Sequence, residues 1–113
     1  MKTYPIFRDN GSLHGFEISN AGLTFRSLFK ILRSVAGVTE VQRIRFNDDR
    51  VSFLFLGVAC VVYEPFGDNS RYWIGPEEAA ATLDITALHL AFQSHQGAFA
   101  QLRSRLSGAG RHT

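Results

Sequence analysis

Recognisable chemistry is scarce in this chain, and its absences bound the reading. Cysteine occurs once, at Cys60, so no disulfide can close within the chain, and a reducing compartment is the natural setting. No apolar run approaches the roughly 18 residues that a membrane span needs. The opening stretch MKTYPIFRDNG holds no apolar core of the kind a secretory leader carries. The expectation is a cytoplasmic protein with no membrane association. An excess of one charge is missing too. Twelve Lys and Arg against ten Asp and Glu leave +2 at pH 7, too little to point at nucleic acid.

Catalytic signatures are equally absent. The chain has no G-x-S-x-G elbow, no H-x-x-x-H and no C-x-x-C. His14, His89, His95 and His112 are scattered. His89 and His95 stand about 120° apart around a helix, so they cannot hold one metal together. Gly11, Gly15, Gly22 and Gly37 match neither nucleotide-binding fingerprint. Internal repeats, low-complexity segments and linkers are missing as well. The expectation is therefore a protein with no metal, no cofactor and no recognisable catalytic set.

What is present is a dense apolar content. Hydrophobic residues make up 45% of 113 residues, ten of them Phe, which predicts one globular domain with a Phe-rich core. That domain is expected to span residues 1–108, with a flexible tail over 109–113. Tyr4 to Arg8 and Gly15 to Ser19 read as a hairpin around the Asp9-Asn10-Gly11 turn. Phe25, Leu28, Phe29, Leu32 and Val35 recur at helical spacing, with Asn20 or Thr24 as the cap and Gly37 as the stop, giving a helix over about 21–36. Val41 to Phe46 alternates, Ile44 and Phe46 facing away from Arg43 and Arg45. Val51 to Leu56 and Val58 to Tyr63 follow as strands of a meander. They are apolar on both faces, which calls for cover on both sides of the sheet, from helices or from a partner. Arg71 to Ile74 reads as a last short strand. Pro76, Glu77 and Glu78 suit a helix start.

The last third holds a stripe of Ile85, Leu88, Phe92, His95, Phe99, Leu102 and Leu106, spaced three and four apart. It predicts one helix from 85 to 106, the longest element, with Asp84 as its cap. The fold class is α+β: an antiparallel sheet of five or six strands with two helices, in the order ββα-βββ(β)-α.

Two surfaces are candidates for function. The first is the loop and strand holding Glu64, Phe66, Asp68, Asn69, Arg71, Tyr72 and Trp73, where Arg71 has Glu64 and Asp68 as prospective partners. Arg, Tyr and Trp are the side chains that dominate binding hot spots. The plainer reading is a hydrogen-bonded turn with Trp73 in the core. The second is the helical stripe, whose Phe92, His95, Phe99 and Leu102 would form a homodimer seam if it does not dock on its own sheet. Protonation of His95 at about pH 6 would then weaken the pair. Cys60, in an apolar run, reads as structural. Arg26, Lys30, Arg33, Arg43, Arg45 and Arg50 would make one basic face, but interspersed acids make a mixed solvated surface the plainer reading. The function that fits is a small non-catalytic protein-binding or regulatory domain, comparable in general character to immunity proteins and inhibitors. The alternative is a small-molecule or enzymatic pocket near Glu64, Arg71 and Tyr72.

Overall fold

In the computed structural model, which describes residues 1–19, 23–44, 50–64, 71–78 and 80–95, eight elements follow the chain. They are β1 (Thr3–Phe7), β2 (Leu13–Ser19), α1 (Phe25–Ser34), β3 (Val38–Ile44), β4 (Arg50–Phe55), β5 (Val58–Tyr63), β6 (Arg71–Pro76) and α2 (Thr86–Ser94). All six strands join one antiparallel sheet in the order β1-β2-β6-β5-β4-β3. The expected element order, sheet type and helix count are those observed. The pattern did not reveal the closure. After the first hairpin, α1 carries the chain to the far edge. The meander then returns, so that β6, the last strand, pairs with β2 in the sheet centre.

Local chemistry sets the turns. Arg8 and Gly11 close the β1–β2 loop, with Gly11 at φ 86 and the Asn10 Oδ1 accepting from the Ser12 N–H at 2.9 Å. Between β4 and β5, Leu56 and Gly57 both take positive φ, 52 and 80. That is the mirror-image turn whose twist matches a hairpin. Glycine adopts it freely, and Leu56 does so under strain. Thr24 caps α1 by accepting from the Ser27 N–H at 3.1 Å.

The registers put Phe16, Ile18, Val51, Phe53, Phe55, Cys60, Val62 and Ile74 on one face of the sheet. Leu28, Ile31, Leu32 and Val35 from α1 pack on that face. So do Ile85, Leu88 and Phe92 from the start and body of α2. Both helices therefore share one side, and a single core lies beneath them. Phe92 is fully buried with its ring 5.4 Å from Phe16, and the His89 ring lies 4.8 Å from Phe16.

Three expectations need correcting. The second helix is not the longest element: α2 has nine residues and α1 ten. It ends at Ser94 because His95 turns extended, at φ −69 and ψ 133. The Gln93 carbonyl, which a longer helix would offer to its next turn, accepts instead from the Met1 ammonium at 3.0 Å, as the His95 carbonyl does at 2.6 Å. Phe99, Leu102, Leu106 and the tail over 109–113 lie outside the described residues. Pro76, Glu77 and Glu78 do not open a helix. Pro76 is the buried last residue of β6, opposite Cys60. Asp84 is not the cap, a place taken by Ile85. Asp84 stands one residue earlier, and its Oδ1 accepts from the Thr86 N–H at 2.9 Å and hydroxyl at 2.6 Å. In β3, Glu40 at φ 53 and Val41 together oppose Phe53, a bulge that shifts the alternation. It turns Arg43 toward the helices, where its guanidinium lies 3.8 Å from the Phe25 ring. Ile44 takes the face opposite Arg43, as the alternation predicts.

Candidate functional site

The second face of the sheet carries the site. No described helix covers it. Antiparallel pairing sets Tyr4 beside Glu17, Glu17 beside Trp73, and Trp73 beside Tyr63. One row across β1, β2, β6 and β5 thus reads Tyr4, Glu17, Trp73, Tyr63. Arg71, two residues before Trp73 on β6, projects from the same face. Its Nη1 donates to Glu17 Oε1 at 3.2 Å, and its guanidinium lies 3.7 Å from the Tyr4 ring. The Lys2 ammonium lies 5.3 Å from that ring. The result is a platform of three aromatic rings with a partly exposed ion pair at its centre. Such an exposed pair adds little to stability, but it fixes the orientation of Arg71.

Trp73 is held flat by two glycines. Gly15 and Gly75 are neighbours across β2 and β6, following Phe16 opposite Ile74. A Cβ on Gly15 would stand 2.6 Å from the indole, and one on Gly75 would stand 2.7 Å from it. The ring fills the space that two side chains would otherwise take. Tyr63 and His14 flank it, with ring centres 5.5 and 5.6 Å away. Val61, opposite Gly75 on the same face, is buried beside the ring.

The sequence candidates therefore separate. Arg71 and Trp73 share the face opposite the described helices, whereas Tyr72 alternates to the helix side and packs against the core. Arg71 pairs with Glu17 and not with Glu64. Glu64 follows β5 and is partly buried. Phe66, Asp68 and Asn69 lie outside the described residues. Tyr4, Glu17 and Tyr63 were missed. Alternation alone places each on a strand face; the β2–β6 pairing brings Glu17 and, through β1, Tyr4 beside Arg71 and Trp73, and the β5–β6 pairing brings Tyr63. Of the stripe positions, Phe92 is in the core, and His95 is partly buried at the end of α2. Burial lowers the His95 pKa, helped by the Met1 ammonium and Lys30. Burial also lowers that of His89, whose Nε2 lies 2.6 Å from the Thr3 hydroxyl. Both imidazoles are therefore neutral near pH 7.

Two clefts lined by described residues lie away from Glu64, Arg71 and Tyr72. One of about 650 Å³ sits at the β1–β2 turn, between Arg8 and Asp84. Another of about 300 Å³ lies between the helices, beside Lys30 and His95. Among the described residues, no three His, Cys, Asp or Glu side chains group to hold a metal ion. No described helix is long and apolar enough to cross a membrane. Cys60 is buried, and its thiol is pushed up to about 11, chiefly by burial. The thiol is therefore protonated at neutral pH. No family model, curated protein or solved structure matches this chain.

Proposed function

We propose that this is a non-catalytic protein-binding domain that engages its partner with the open face of the sheet. One observation carries the reading: Tyr4, Tyr63 and Trp73 stand in one row with the Arg71–Glu17 pair, on the side opposite both helices. Aromatic rings and arginine on a rigid strand platform supply large contact area at low entropic cost. The partly exposed ion pair belongs to the polar part of such a surface and offers a partner one cation and one anion to match. The partner is another protein of complementary shape. A second copy of this chain is a special case, because a platform with both charges can match itself across a two-fold axis.

Photo-crosslinking tests the reading. A benzoyl-phenylalanine at Tyr4 should capture one protein in the native host, and the same probe at Leu90, on α2 and 53% exposed, should not. Arg71→Ala in the Tyr4-probe chain should remove the adduct while leaving the fold intact. An adduct of twice the chain mass would identify the partner as a second copy. Equal capture from Leu90, or none from Tyr4, would contradict the proposal.

A further inference from the structure

A second site lies at the β1–β2 turn. Its centre is Arg8. The main chain of Arg8 is fixed by the turn, its N–H donating to the Ser12 carbonyl at 2.8 Å and its carbonyl accepting from Gly11 at 2.9 Å. The Nη2 donates to the Ala81 carbonyl and lies 3.2 Å from His14 Nδ1. The Nε is buried with no acceptor among the described residues. No carboxylate among the described residues lies within ion-pair distance of it, and Nη1 has no protein acceptor there either. A partly buried guanidinium without a counter-charge is costly, because it has left water and gained only neutral partners. The fold nonetheless holds it in one orientation, at a cleft of about 650 Å³. That volume falls in the range of small-molecule sites.

The rest of the lining narrows the ligand. Phe7, 60% exposed, stands beside the cleft with Leu13 and Leu83. Together the three give the cleft an apolar wall beside Arg8. Asp84 lines the same cleft, its charge stabilised by the Thr86 hydroxyl and N–H. His89, also in the lining, is neutral near pH 7. Arg8 and Asp84 thus set one positive against one negative charge, so a single anionic group fits beside Arg8 and a second negative charge is repelled. A bare phosphate, doubly charged and with no apolar part, meets neither condition.

We propose that this cleft binds a small organic monocarboxylate, with its carboxylate on Arg8 and its apolar body against Phe7, Leu13 and Leu83. The site touches the platform through His14, which also flanks Trp73, but the proposal does not rest on the protein-binding reading. The probe is 3-phenylpropionate, titrated into the full chain and followed by amide NMR shifts. We expect saturable binding with a Kd of about 1 mM or tighter, with shifts centred on Arg8, Gly11 and Leu83. 3-Phenylpropanol, which lacks the charge, and inorganic phosphate, which lacks the apolar body, should each bind at least about tenfold more weakly. Arg8→Gln should weaken binding about tenfold or more. Because Arg8 also holds the Ala81 carbonyl, Phe7→Ala provides a second variant at an exposed position. It should weaken binding about threefold or more with an unchanged circular dichroism spectrum. Phosphate binding as tightly as the probe, an alcohol equal to the acid, shifts that never saturate, or full affinity in Phe7→Ala would each overturn the proposal.

Discussion

Replacing Phe92 by alanine separates the two roles its stripe suggests. Phe92 is fully buried and its ring meets Phe16 at 5.4 Å with a 59° tilt. It is also the last core residue of α2, whose other anchors are Ile85 and Leu88. Truncating a buried Phe loses its transfer free energy and leaves a cavity, at a cost of about 3–5 kcal/mol. A domain of this length has about 6–17 kcal/mol in all, from roughly 0.05–0.15 kcal/mol per residue. The variant should therefore remain folded at room temperature but unfold at a much lower urea concentration. Trp73 is the only tryptophan, so its fluorescence reports the transition without added labels. Leu90→Ala, one turn-side away and 53% exposed, should change stability by no more than about 0.5 kcal/mol. The measurement is made at two protein concentrations a hundredfold apart. A cost under about 1 kcal/mol for Phe92→Ala, or a cost that grows on dilution, would refute its placement against Phe16 and return it to an intermolecular seam.

Four further outcomes follow from the geometry. Leu56→Asn should raise stability by about 1 kcal/mol, or about 4 °C in Tm, because asparagine tolerates the positive φ of 52 and the side chain is 64% exposed; an unchanged or lower Tm counts against the turn. Gly15→Ala should destabilise by about 1–3 kcal/mol through collision with the indole, and by less in a Trp73→Ala background, which a double-mutant cycle reads directly. Cys60, buried and with its thiol at about 11, should resist a thiol-disulfide reagent at pH 8 until the chain is unfolded; stoichiometric labelling of the native protein would contradict this. Because burial holds His89 and His95 below the unfolded value of 6.5, the unfolded chain takes up protons first as pH drops. Stability should be full above that value and fall between pH 7.5 and 5.5, less steeply in His89→Gln, as urea midpoints will show.

Much of the fold is legible in the residues. The two hairpin turns, the α1 stripe and the meander are local patterns, and local patterns set local structure. Strand neighbours are another matter. Period-two alternation says that Arg71 and Trp73 share a face, but it is silent on which strand lies beside them. That choice belongs to the long-range β2–β6 pairing, which brings Glu17 to Arg71 across 54 residues of chain. The Glu40 bulge shows a second limit, since one extra residue reverses every face assignment beyond it. The heptad spacing of the last third gave the right anchors in Leu88 and Phe92. It also suggested continuity through His95, where tertiary contacts to the Met1 ammonium end the helix instead.

The central claim is that the Tyr4–Glu17–Trp73–Tyr63 row is an interface for another protein. Hydroxyl-radical footprinting of the chain alone and of the crosslink-identified complex tests it most directly. Tyr4, Tyr63 and Trp73 should be oxidised in the isolated chain and protected together in the complex, while Phe16 and Phe92 stay unlabelled in both. Protection confined to the helix side, or rings equally reactive with and without the partner, would contradict it.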